Sequence, residues 1–593
     1  MKKTRGTSAL RWVAAVELAL LAAWRLCDVA AMPAEPVLYW GVTALMAALT
    51  LALLVYAFAV ADRRLRRVAY PLGFLFAIFA VLGYPMNTAR ALPQGWVAAL
   101  WLALDVAVYT VVLGAAVLAL YRGALRALER MEEKPARQGG GSWFGRLIGN
   151  WFFVFAVVLI CWVPVWLAFY PGTFRYDADT QFFTYMDGIL TTHHPLLHTL
   201  LMSRLLEIGN EAESLTLGVA IYSAVQMALM AAIVGYACAW LRRRGAPTAL
   251  RAAVLLGFAL FPLYPLWAFS ATKDVLFGGF VLLLCLQMAD LWTDGVVWLR
   301  KPLRVLFFLL TAALMMLLRN NGAYAFVLAI PFAVMAARGR RVRTALLMAA
   351  CVCLYLLSNA LLVKLTDAGP GSYVEKLSIP LQQTARAANR GTVDEADREL
   401  LAQLFLDDPG TLYQPMCADN VKWNLDEDTL TDGLYDYAAL WARVGLQNPR
   451  LYVEAFLEQN LPYFYPGARM VYNIVLGVLP MDLYELSEAP VLPALRPFYE
   501  DYDRTLRVFD IPGTELLSDN AVMVWLTLLI TGFAIYRRRR GTVVAGLFLL
   551  AVWVSCLVGP IAAMRYLLGL FDTVPVLLAA AFAREGKAAG ARA

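Results

Sequence analysis

The segment WFFVFAVVLICWVPVWLAFY, residues 151–170, is followed at once by PGTFRYDADTQFFTYMDGILTTHHPLLHT, residues 171–199. The first piece holds no charge over 20 residues, the length a helix needs to cross a hydrocarbon core of about 30 Å. The second is polar without being basic. It carries Asp177, Asp179 and Asp187, and all three histidines of the chain, His193, His194 and His198. Histidine is the side chain that titrates nearest physiological pH. Three of them within six residues, beside carboxylates and at the end of a span, read as part of a site rather than an ordinary connector.

Working outward, apolar windows of the same kind recur at 9–31, 37–61, 70–86, 96–121, 150–170, 214–241, 250–268, 275–292, 305–318, 323–337, 344–363, 521–536, 542–558 and 561–583. The chain is 61% hydrophobic and 16% charged, where a soluble domain carries about 25% charged residues. The alternating pattern of a membrane barrel is absent. An all-α polytopic membrane protein of about 14 transmembrane helices is expected, with the bilayer as its first partner.

The basic residues fall in short clusters after alternate windows, among them Arg63 to Arg67, Arg242 to Arg244 and Arg537 to Arg540. By the positive-inside rule the N-terminus, the C-terminus and these clusters face the cytoplasm of a plasma membrane, and 171–199 faces outward. The net charge of +7 is thereby accounted for, and no nucleic-acid patch is read. MKKTRG and the run after it, interrupted by Arg25, suit an uncleaved first helix better than a signal peptide. Eight scattered cysteines, mostly within apolar runs, imply neither a disulfide framework nor a cysteine metal site.

The expected organisation is a four-span region at 1–121 and a cytoplasmic linker at 122–148, whose GGGS at 139–142 is a flexible joint that lets the first four spans move apart from the rest. A membrane core at 149–363 follows, with the first outer loop at 171–213. Residues 364–520 form a mostly α extracytoplasmic domain, with a weak apolar run at 470–480 that touches the membrane. The last spans and a basic tail occupy 521–593. HHPLLHTLLMSRLLEIGN is expected to form a short amphipathic helix along the membrane, with Pro195 at its first position and His194 and His198 four apart on one face.

Topology and polarity combine to a result that neither yields alone. Asp177 and Asp179, the three histidines, Lys273 and Asp274, Arg319 with Asn320 and Asn321, and Arg565 with Tyr566 all fall on the outer side. An ionisable residue as deep as Arg565 is costly unless paired or facing water; the alternative is snorkelling to the interface, and for Lys273 and Asp274 it is a solvated loop pair. In an extended segment Asp177 and Asp179 point the same way. They then offer oxygen ligands for a divalent cation, magnesium or manganese, or one of them serves as general base. Lys273, Arg319 and Arg565 suit the phosphate of an anionic donor.

PGTFRYD with its downstream Gln and His-Pro pair, KD at 273–274, RNNG at 319–322 and GPIAAMRY at 559–566 resemble poorly characterised bacterial members of the GT-C superfamily of membrane glycosyltransferases. The resemblance covers about 150–583. It implies a GT-C-like core, a polyprenyl-phosphate-linked sugar as donor and an extracytoplasmic acceptor such as a cell-wall polymer, lipid or protein. It implies Asp177 as base or metal ligand, Asp179 as a second acid and Arg565 as a phosphate ligand; among the histidines, His193 and His194 are taken with the catalytic group and His198 with the binding group. No metal-ligating set is evident beyond the aspartate pair and the histidines. The competing readings are a transporter or flippase for a lipid-linked sugar, and a glycan polymerase or ligase. The transporter reading expects charges at span centres and repeated halves, and neither is read here.

Overall fold

A computed structural model describes residues 13–23, 25, 36–133, 143–468, 470, 472–478, 480–481 and 485–583. It is 77% helical, with no strand among the described residues. The first region comprises α1 (Val13–Ala23), α2 (Pro36–Ala59), α3 (Arg63–Thr88) and α4 (Trp96–Glu133). After α5 (Trp143–Leu147) come α6 (Trp151–Ala168), α7 (Ala178–Met186), α8 (Leu196–Glu211), α9 (Leu215–Arg243), α10 (Thr248–Leu260), α11 (Leu263–Ala268) and α12 (Lys273–Asp294). The core continues through α13 (Val296–Leu299), α14 (Pro302–Leu318), α15 (Asn320–Ala336) and α16 (Arg341–Thr366).

Among the described residues, eight helices are long and apolar enough to cross a membrane. The other apolar windows lie on six helices of 10–17 residues, among them α10, α14 and α15. The window at 70–86 belongs to a longer helix that begins at Arg63, because Asp62 caps it by accepting from Arg64 N and Leu65 N at 2.9 and 3.0 Å. The linker starts as the last turns of α4, while 134–142 with its GGGS, the N-terminal MKKTRG and the tail after 583 lie outside the described residues.

The hub is α12, which packs against α9, α14, α26 (Arg540–Cys556) and α27 (Leu568–Ala581). Between Val275 and Leu286 it is apolar all round, as a helix must be where neighbours cover every face. The expectation of no charge at span centres is wrong. Asp572 is buried within α27, and Asp105 in α4 forms a two-bond ion pair with Arg25 at 2.9 and 2.6 Å. A carboxylate within an apolar helix is tolerated when paired, and Arg25, which interrupts the first apolar run, supplies that partner.

Residues 364–520 gather around α17 (Ser378–Arg390). Leu381 and Ala385 bury against α18 (Glu395–Leu404), α22 (Leu434–Gln447) and α23 (Pro449–Gln459), with the short helices α19 (Pro409–Leu412), α20 (Asp419–Trp423) and α21 (Glu427–Asp432) between them. The segment 472–478 is tied to the stretch after α6: Phe174 N donates to Gly477 O at 3.1 Å and Val475 N to the Tyr176 hydroxyl at 2.9 Å. After α24 (Arg496–Thr505), α25 (Asn520–Tyr536) packs against α3 of the first region. The four leading helices are therefore joined to the rest, with Tyr121 donating to Leu529 O at 2.6 Å and Phe76 stacked on Trp525 at 4.3 Å.

Candidate functional site

Residues 171–177 are held by pairing between chain segments far apart in sequence. Thr173 N donates to Phe269 O at 3.2 Å, and Ala271 N returns to Thr173 O at 2.7 Å. Gly172 makes the turn into this pairing at φ 131, where a Cβ would run into the Ser223 hydroxyl; only glycine takes that conformation without strain. Tyr176 is left-handed at φ 64, a cost that marks a constrained position. Its ring stacks on Trp267 on one side and lies 4.6 Å from the Arg565 guanidinium carbon on the other.

This scaffold sets Asp177 against the first turn of α12. Asp177 Oδ2 accepts from Lys273 Nζ at 2.6 Å and from Arg565 Nη1 at 3.2 Å. Arg565 also lies 3.7 Å from Asp274 Oδ2, and Asp274 accepts from Arg319 and, at 3.0 Å, from the Thr272 hydroxyl. Asp274 is fully buried, and its place in the first turn of α12 adds the favourable pole of the helix dipole. Arg319 is the single extended residue between α14 and α15 (φ −157, ψ 131), and its guanidinium lies 4.0 Å from the centre of the Tyr566 ring. Arg565 stands in a single 3-10 turn that leads directly into α27. Neither the snorkelling alternative for Arg565 nor the solvated-pair alternative for Lys273 and Asp274 describes these buried, paired groups.

His194 Nδ1 lies 3.2 Å from Lys273 Nζ, so the imidazole accepts and stays neutral. Burial and the neighbouring Lys273 push its pKa down to about 2. Burial alone would raise the Asp177 carboxyl, but Lys273, Arg565 and His194 outweigh it and hold it well below the usual carboxylate range. Three cations therefore meet two carboxylates, Asp177 and Asp274, and one positive charge is in excess. An anion with several oxygens is the natural complement to two guanidiniums and an ammonium.

The other expected residues lie elsewhere. Asp177 stands just before α7 in an αR conformation, with no side-chain capping bond, instead of lying in an extended segment. Asp179 falls in the first turn of α7, where its Oδ1 accepts from Thr180 N at 2.7 Å. The expected aspartate pair is thereby broken. With Lys273 and Arg565 on Asp177, the residues do not suit a divalent cation, and no group of three or more potential ligands occurs among the described residues. Helix α8 begins after Pro195, so His194 precedes it and does not share a face with His198. His198 is fully buried, 2.8 Å from the Gln181 amide and 2.9 Å from the Tyr222 hydroxyl, which donates to Gln226 at 2.7 Å. Its pKa falls to about 3, first through burial. Met202 and Leu206 of α8 cluster with Leu215 and Val219 of α9, while Leu201 and Ile208 of the same helix are exposed. His193 is exposed, with its ring 4.5 Å from that of His194. Asn320 is exposed, and Asn321 ties α15 to α26 by donating to Ser555 O at 3.3 Å.

Tyr176, Thr272 and Asp503 were not expected. Asp503 lies near Tyr176, and burial raises its pKa. Only Tyr176 had a signal in the sequence, its place beside Asp177 in PGTFRYD.

The loop that carries the site's last arginine is gripped from 364–520. Gln459 donates to Gly559 O at 2.5 Å, Asn460 to Leu557 O at 3.0 Å and Ala418 N to Pro560 O at 2.9 Å. On the other flank, Thr192 N donates to Gly369 O at 2.9 Å, which positions the histidine loop.

No curated protein and no solved structure matches the chain. One family model covers residues 185–593, more than half of the sequence, and includes His194, Lys273, Arg319 and Arg565 while starting after Asp177. By that match the chain belongs to a family of unknown function, DUF6020.

Proposed function

We propose that this protein is a GT-C-like membrane glycosyltransferase with fourteen crossings. It moves a sugar from a polyprenyl-phosphate donor to an acceptor hydroxyl on the outer face of the cell membrane, where the charged cluster lies. The observation that carries the reading is the excess of one positive charge where Lys273, Arg319 and Arg565 meet Asp177 and Asp274.

The donor phosphate competes with Asp177 for Lys273 and Arg565. As those ion pairs loosen, the carboxylate regains basicity. The acceptor hydroxyl passes its proton to Asp177, its oxygen bonds to the anomeric carbon, and the bond from that carbon to the phosphate oxygen breaks. The departing phosphate keeps the electron pair, and Arg565 and Lys273 stabilise its charge. The donor set calls for no divalent cation, so transfer continues in the presence of a chelator.

The test uses purified full-length protein and a panel of polyprenyl-phosphate sugars, with release of polyprenyl phosphate as readout. Wild type releases it, and Asp177→Asn loses about 10²–10⁴-fold, the usual worth of a general base. A folded wild type that releases nothing from any donor overturns the reading. It then favours transport of a lipid-linked sugar, a role suggested by buried Asp572 within α27.

A further inference from the structure

The end of α6 remote from the charged cluster borders a groove of about 670 Å³, lined by Trp143, Arg146, Asn150, Phe152, Phe153 and Arg242 among others. Its geometry is fixed from beneath. Buried Arg251 donates to Gly145 O at 2.8 Å, Arg242 donates to Arg146 O at 3.2 Å, and Gly149 leaves no room for a Cβ against the Arg242 side chain. Trp143 is 71% exposed and Phe152 67%. None of the described residues lining the groove is acidic, and neither Arg146 nor Arg242 is paired with a carboxylate among the described residues. Ile160, two turns further along α6, is also exposed.

Aromatic side chains beside arginines at the end of an apolar helix suit the boundary between hydrocarbon and headgroups. Two guanidiniums without a carboxylate call for a ligand with net negative charge. The phosphate of a zwitterionic lipid arrives with its own cation, which these arginines repel.

We propose that the groove holds the headgroup of an anionic phospholipid, with its phosphate between Arg146 and Arg242 and its acyl chains along Phe152, Phe153 and Ile160. The site lies at the opposite end of α6 from Asp177 and does not depend on the transferase reading. It places a lipid against α6, the helix that leads into 171–177, and so couples bilayer composition to the stability of that segment.

The experiment reconstitutes the full chain in nanodiscs of equal phosphatidylcholine and phosphatidylglycerol, then counts retained lipids by native mass spectrometry after mild detergent release. Wild type is expected to keep phosphatidylglycerol preferentially. Arg146→Gln with Arg242→Gln is expected to lower that retention about thirtyfold, from two charges at an anionic surface. Arg338→Gln with Arg341→Gln, which removes equal charge outside the groove, leaves retention unchanged. Equal retention of both lipids by wild type, or equal loss in both double variants, overturns the proposal. A double variant that fails to fold is replaced by Trp143→Ser with Phe152→Ser, which spares the charges and is expected to lose the same bound lipid; retention by that variant also counts against the groove.

Discussion

The histidines show how one residue type divides between two roles. His194 touches Lys273 in the charged cluster, whereas His198 is sealed between Gln181 and Tyr222. Both have folded-state pKa values far below the ordinary 6.5, at about 2 and about 3. The unfolded chain therefore binds more protons than the folded chain between those values, and stability is lost as pH falls below about 6.5. The slope from one such group is at most about 1.4 kcal/mol per pH unit. His198→Gln is expected to lose less of its thermal unfolding temperature than wild type between pH 7 and pH 5. Asp503 and Asp519, raised by burial, titrate with the opposite sign, so the difference between wild type and variant is the informative quantity. Parallel curves would show that His198 is not held neutral. At this scale Asp177, Lys273, Arg319 and Arg565 were legible because they stand at the ends of apolar runs opposite to those that carry the basic clusters. Tyr176 had only its place beside Asp177 to mark it, because nothing in its identity announces a left-handed backbone or a guanidinium near its ring.

Elements were legible in proportion to how local their causes are. The apolar windows lie on helices because burial and internal hydrogen bonding act along one continuous segment. Asn150 and Ser214 cap α6 and α9 by accepting from Phe153 N at 3.0 Å and Leu217 N at 3.3 Å, a cause equally local. The pairing of 173–174 with 269–271 and 477–478 was not, since each stretch contributes only one or two residues and the partners lie about a hundred and three hundred positions away. Gly172 is the local residue on which that pairing turns. Gly172→Ala places a side chain at φ 131 against Ser223 and is expected to cost about 1–3 kcal/mol. Ser223→Ala relieves the contact but not the backbone conformation, so the double variant recovers only part of the loss. Thermal unfolding of the two single variants and the double checks this; full recovery would place the whole cost in the clash. Asp177 and Asp179 teach the same lesson from the other side: a two-residue spacing faces one way in a strand and apart in a helix, and helix α7 starts between them.

At the scale of the whole molecule, the first four helices are bound to residues 364–520 through a buried charge network. Arg386 is fully buried between Glu454, at 2.9 Å, and Glu458, and it donates to Arg90 O at 2.6 Å. Leu92 N donates to Glu454 Oε1 at 2.7 Å. The turn between α3 and α4 is thus a ligand of the 364–520 region, which in turn grips the loop before Arg565 through Gln459 and Asn460. The expected independent motion of the first region does not follow, because the turn between α3 and α4 is fastened. Removing one partner of a buried ionic set leaves the others uncompensated and costs about 3–5 kcal/mol. Arg386→Met is expected to lower stability by the lower end of that range, because Glu454 and Glu458 lose their shared cation while Glu454 keeps Arg450 at 2.8 Å and Glu458 keeps Arg90 at 3.9 Å. Hydrogen exchange should locate the loss at residues 88–95 and 557–563 together, since the same helix, α23, holds Glu454 and leads into Asn460. Glu454→Gln with Glu458→Gln in the Arg386→Met background should restore much of the stability, as the amides remove the repulsion. Faster exchange confined to 88–95 would mean that the first region docks on residues 364–520 without bearing on the loop that leads to Arg565. Faster exchange at both makes residues 364–520 a brace that runs from the first four helices to the cation cluster.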